Sequence, residues 1–165
     1  MTNEEKQLLL KDLCARLPYG VICHYNCVIP SGKRVIGKAN ARDVLKGIIP
    51  IPDGHIGFMV GIDKVNALEG DIKPYLRPMS SMTDKEKEEL RREFGAEFRD
   101  EDNGRHTETY GYVIVYHNFK GESWYIPFEA IDWLNARHFD YRELIPKGLA
   151  LEAPKDMYEN VSTSI

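Results

Sequence analysis

The sequence predicts an α+β fold: an N-terminal helix, an antiparallel sheet of five to seven strands, a polar excursion helix, and a C-terminal helix packed on the sheet. Three observations carry this. A helical apolar stripe opens the chain, period-two alternation follows it, and capping and proline signals mark two later helices. A sheet curled into a partial barrel is the alternative form of the same class. With 42% hydrophobic and 10% aromatic residues among 165, the chain is too apolar for intrinsic disorder. Its size suits one core, and the expected organisation is a single domain over residues 1–158 with a loose tail at 159–165.

The first element is a helix. Thr2 followed by Glu5 forms a capping box, and Leu9, Leu10, Leu13 and Leu17 recur at helical spacing before Pro18 and Gly20 end it. From Tyr19 to Ile29 the period becomes two. Val21, Cys23, Tyr25, Cys27 and Ile29 share one face, and Ile22, His24, Asn26 and Val28 the other. Pro30-Ser31-Gly32-Lys33 reads as a turn into a second strand at Arg34-Val35-Ile36. A third strand is expected near Val44 to Ile49, closed by Pro50-Ile51-Pro52-Asp53-Gly54. Ile56 to Ile62 is a weaker fourth, interrupted by Gly57 and Gly61.

Ile72 to Met82 holds Pro74 and Pro78 and is expected to run along an edge or in a polyproline-like path. Thr83 with Glu86 then caps a helix that Gly95 stops. From Thr83 to Asp102 there are nine acids and five bases, the composition of a solvated helix. Asp102-Asn103-Gly104 suits a hairpin tip, and Tyr110 to His117 reads as a central strand. Ser123 to Ile126 resumes the sheet. Pro127 starts the last helix, whose expected inward stripe is Phe128, Ile131, Leu134 and His138, with Trp133 off that stripe.

Few catalytic patterns survive inspection. Cys23 and Cys27, four apart on a strand, sit ~13 Å from each other, too far for a disulfide or one zinc, so they read as small core residues. Three cysteines, with Cys14, suit a reducing compartment. The five histidines (His24, His55, His106, His117, His138) have no metal-motif spacing. Ser31-Gly32-Lys33 lacks a P-loop's first glycine, and no nucleophile elbow is present. No catalytic, cofactor or metal residue is assigned, and the sequence points away from an enzyme. The alternative is an enzyme or small-ligand binder with a site assembled by the fold around His117 and His138.

A net charge of −4 and a pI near 5.8 disfavour a general nucleic-acid binder. The stretch Lys33 to Lys46 is nevertheless locally basic, with Lys33, Arg34, Lys38, Arg42 and Lys46 against Asp43. A nucleic-acid role through it is the third reading, disfavoured because no aromatics interleave for base stacking. No apolar run reaches the ~20 residues of a membrane span, and the acidic start is unlike a signal peptide, so a cytoplasmic protein is expected.

The favoured reading is a non-enzymatic protein-interaction module. Its candidate residues are Lys73, Tyr75 and Arg77 on the extended connector, and Trp133, Arg137, Tyr141 and Arg142 at the end of the last helix. Aromatic side chains beside arginines have the composition of an interface hot spot.

Two segments carry a resemblance: Lys73-Pro74-Tyr75-Leu76-Arg77-Pro78-Met79-Ser80-Ser81-Met82-Thr83 and Asp132-Trp133-Leu134-Asn135-Ala136-Arg137-His138-Phe139-Asp140-Tyr141-Arg142. With Leu17-Pro18-Tyr19-Gly20-Val21 and Gly148-Leu149-Ala150-Leu151-Glu152-Ala153-Pro154, they resemble a family of short, uncharacterised proteins encoded in phages, prophages and mobile elements of gut Bacteroidales. The resemblance implies a bacterial host cytoplasm and transfers no catalytic residue.

Overall fold

The protein is described by a computed structural model covering residues 1–31, 34–50, 56–60, 65–68, 72–99, 113–116 and 127–158. It is an α+β structure of two compact units, residues 1–76 with 142–165 and residues 77–141. The expected turn at Gly32-Lys33, the loop 51–55, the hairpin tip at 102–104, the strand at 123–126 and the tail at 159–165 lie outside the described residues.

In the first unit, α1 spans Asn3–Arg16 and begins at the expected capping box: Thr2 accepts from the Glu5 amide, and Glu5 accepts from the Thr2 amide at 2.7 Å. Gly20, at φ 66°, turns the chain out of the helix and into the sheet. β1 (Ile22–Ser31) and β2 (Arg34–Pro50) form one long antiparallel hairpin, so the two separate strands expected in the second half of it are a single element. β3 (Ile56–Val60) and β4 (Val65–Leu68) extend the meander beyond β2. No alternation in the sequence had marked β4.

β5 (Ile72–Leu76) corrects the expected edge or polyproline-like path of the connector. It lies between β1, to which it is antiparallel, and the two-residue β8 (Leu151–Glu152), to which it is parallel. Leu76 turns its carbonyl toward the β8 side, where the Ala153 amide donates to it at 2.8 Å. By alternation Pro74 faces that same side, below the point where pairing with β8 begins at Tyr75 and Leu151. The proline's missing donor therefore breaks no bond to β1. The six strands run β4-β3-β2-β1-β5-β8, an open mixed sheet and no barrel.

The core of this unit joins Leu9 and Leu13 of α1 to Val21, Cys23, Tyr25, Leu45, Phe58, Val60, Ile72 and Leu76, with Leu144 and Leu149 from the returning chain. The expected leucine stripe meets this core, with Leu9 and Leu13 buried in it and Leu10 and Leu17 packed against it, while Asp12 and Arg16 share that side and bring two charges into the core at 0% exposure.

In the second unit, α2 (Asp84–Phe94) has the expected capping box of Thr83 and Glu86, and Gly95, at φ 67°, is its left-handed cap. β6 (Ala96–Arg99) and β7 (Val113–Tyr116) pair as a two-stranded antiparallel ladder. Of the strand expected from Tyr110 to His117 at the centre of its sheet, Val113–Tyr116 is described, and among the described strands its one partner is β6. α3 (Phe128–Ala136) buries Ala130, Trp133 and Leu134 against Leu90 of α2 and Ala96 of β6. Of the expected inward stripe, Leu134 and His138 are buried, while Phe128 is corrected, being 83% exposed.

Candidate functional site

Most of the aromatic and arginine residues singled out in the sequence converge in the second unit, where they form a bonded array. The short bridge between Arg77 and Phe139 sets it up: the Arg77 amide donates to the His138 carbonyl and the Asp140 amide to the Arg77 carbonyl, both at 2.8 Å. His138 makes this turn possible at φ 59°, buried at 1% exposure. The Phe139 ring then stacks with Trp133, centroids 5.9 Å apart and planes within 4°. Arg77 lies 4.2 Å over the Phe139 ring and Arg137 lies 3.8 Å over Trp133, so each ring carries a guanidinium on its electron-rich face.

Two carboxylates of α2 hold the cations in place. Glu86 takes a fork from Arg77, with contacts of 2.7 and 3.0 Å. Glu89 accepts from the Trp133 indole at 2.9 Å and from Arg137 at 2.6 Å through the same oxygen. Burial would raise the Glu86 carboxyl, but the Arg77 fork and the hydrogen bonds from Thr83 outweigh it and hold the group below its ordinary value. The sequence places Trp133 off the inward stripe and leaves its exposure open. It is buried at 7% exposure, and Glu89 meets the indole donor that burial would otherwise strand. Tyr141 donates to Asn135 at 3.0 Å.

The other predicted candidates belong to the first unit. Lys73 and Tyr75 are half-buried in β5, and the Tyr75 carbonyl accepts the Tyr158 hydroxyl at 2.8 Å. The Ile22 amide donates to that hydroxyl at 3.1 Å, so Tyr158 stands in for one rung of the β1–β5 ladder. Arg142 reaches Asp12 Oδ1 at 2.7 Å, while Arg16 Nε holds Oδ2 of the same carboxylate at 2.7 Å. One buried carboxylate is thus gripped by two guanidiniums. Beside it, burial pushes the Cys23 thiol far above its ordinary range and the Asp12 charge adds to the effect, which keeps Cys23 protonated and unreactive. The Tyr158 phenol is likewise raised, chiefly by burial.

Sequence reasoning missed Asp12, Arg16, Glu86 as an arginine partner, Glu89 and Phe139. The Asp12–Arg16 spacing of four was legible, but such pairs are usually solvated. His117, and with it the alternative of a paired His117–His138 site, lies outside the described residues. Among the described residues no three His, Cys, Asp or Glu side chains gather as a metal site requires, and no helix is long and apolar enough to cross a membrane. No family model matches the chain, and neither the curated proteins nor the solved structures contain a match.

Proposed function

We propose that the chain is a non-enzymatic protein-interaction module associated with phages or mobile elements, working in the host cytoplasm. The observation that carries this reading is the outward face of α3. Phe128, 83% exposed, stands there with the exposed acids Glu129 and Asp132 on the same side of the helix. The opposite side is anchored by Trp133 and the arginine array, so the exposed aromatic projects from a pre-organised support, which lowers the ordering cost of binding.

Residues 77–141 carry 14 acidic and 9 basic side chains, a net charge of −5. The partner this suits is a protein with a cationic rim around an apolar pocket for Phe128. The arginine array supports the surface from behind. Affinity recovery of tagged chain from prophage-bearing cells, alongside Phe128→Asp, tests the reading. A stoichiometric partner should be held by the native chain and lost from the variant. Equal recovery by both removes this surface from consideration.

A further inference from the structure

The outward face of the six-stranded sheet holds a pattern that the α3 surface does not use. Across β1 and β2, Ile22 faces Val44 and His24 faces Arg42. On the other side of β1, Lys73 of β5 also faces His24. Directly opposed residues share a face, so Arg42, His24 and Lys73 form one row across three adjacent strands, roughly 10 Å long. One step along the strands, Val44 pairs with Ile22, and Tyr75 follows across the Tyr158 hydroxyl that bridges the Ile22 amide and the Tyr75 carbonyl, making a second row, apolar and aromatic. The alternating residues Cys23, Tyr25, Ile72 and Leu76 are buried in the core, which makes these two rows the outward ones.

Arg42 is exposed and the other five are half-buried. Among the described residues none of the three basic side chains takes part in an ion pair. Two cations, Arg42 and Lys73, thus flank the His24 imidazole on one face, and their charge is available to an anionic ligand. Against the apolar row, Pro154 and Met157 raise a wall and close an open groove of about 450 Å³ over Ile22, Arg42 and Val44. Asp43 and Asp156 also line this groove, so the anionic part of a ligand belongs on the basic row and its neutral, planar part in the groove.

We propose that this face binds single-stranded nucleic acid, with phosphates along Arg42, His24 and Lys73 and a base against Tyr75 and the Ile22–Val44 floor. Binding of this kind needs cations that track the backbone and an aromatic for a base to stack on. The basic run of β2 lacks the aromatic in sequence. Tertiary pairing supplies it, because β5 brings Tyr75 and a further cation alongside β1. An acidic peptide would engage the cations and leave the aromatic row idle.

Fluorescence anisotropy of a labelled single-stranded oligonucleotide with the full chain tests this. The native chain should bind at low salt, and neutralisation of about two phosphates by Arg42 and Lys73 would weaken binding roughly 7-fold between 50 and 200 mM salt. Arg42→Glu and Lys73→Glu should each weaken binding about tenfold or more. Tyr75→Ala should weaken it roughly 5- to 100-fold, and Tyr75→Phe should restore it. Lys11→Glu, an exposed charge reversal on α1, which packs on the opposite face of the same sheet, should leave affinity within about twofold, since an exposed charge across the sheet is screened. The proposal is overturned by absence of binding at low salt, by equal weakening from Lys11→Glu, or by a polyglutamate peptide competing as well as the unlabelled strand. Far-ultraviolet circular dichroism of each variant separates lost binding from lost folding.

Discussion

The two units handle their charges in opposite ways. In the first, the carboxylate of Asp12 and the guanidinium of Arg16 lie wholly inside the core, and Arg142, 15% exposed at its side chain, closes the triad. In the second, Arg77, Glu86, Glu89 and Arg137 stay at the rim, 16–33% exposed, and spread over the faces of two stacked rings. A buried charge has given up its hydration and depends on its partners for replacement. A rim charge keeps part of its water and adds orientation more than stability. The same residue types therefore serve as a lock in one unit and as scaffolding for a surface in the other.

Asp12→Ala should break the comparison at its strongest point. It leaves two guanidiniums without their carboxylate, and about 3–5 kcal/mol of stability should be lost in chemical denaturation. The double variant Asp12→Leu with Arg16→Met should recover much of that loss, because a packed apolar pair needs no compensation. If Asp12→Ala costs no more than a surface substitution, the contrast between the units fails.

Tyr158→Phe removes one oxygen and deprives both the Ile22 amide and the Tyr75 carbonyl of their shared partner. The expected cost is about 1–3 kcal/mol. Hydrogen exchange should rise at Ile22 if the hydroxyl is a true rung of the ladder.

Glu86→Gln sharpens the second half of the comparison. It weakens the fork on Arg77 together with the cap at Thr83, at a cost of about 1–2 kcal/mol. The folded-state pKa of Glu86 is depressed, so its contribution is fully present above the ordinary glutamate value of 4.5 and is lost as pH falls through the lower folded value. A denaturation series across acidic pH should therefore show a shallower acid limb in the variant than in the native chain. Identical limbs would mean that Arg77 and Thr83 do not stabilise the ionised carboxylate.

At the small end stands Arg92→Ala, which removes a 3.0 Å pair with Glu93 on α2, with 71% and 42% of the side chains exposed. Within about 0.5 kcal/mol, no change in midpoint is expected. A larger loss would show that rim charges in this unit carry more than orientation.

Local signals were read well where the chemistry is local. The capping boxes at Thr2 and Thr83 and the stop at Gly95 depend on residues within four positions of one another, and all three form as expected. Errors arose where a distant partner decided the outcome. Pro74 suggested an edge because nothing in sequence says which neighbour its missing donor will face. Trp133 fell off the inward stripe with its exposure open, and Glu89, 44 positions away, meets the donor that its burial would strand. The hot-spot composition at Arg77, Trp133 and Arg137 was legible, but most of its polar capacity is spent internally, on Glu86 and Glu89.

By itself the sequence determined the class of the fold, the helix boundaries and the faces of the first strand, because period and capping are set by neighbours along the chain. The tertiary structure alone decided which charges enter the core, that six strands form an open sheet, and that Arg42, His24 and Lys73 stand in one row. Those outcomes depend on register and pairing between strands as far apart as Tyr75 and Leu151, which no local pattern encodes.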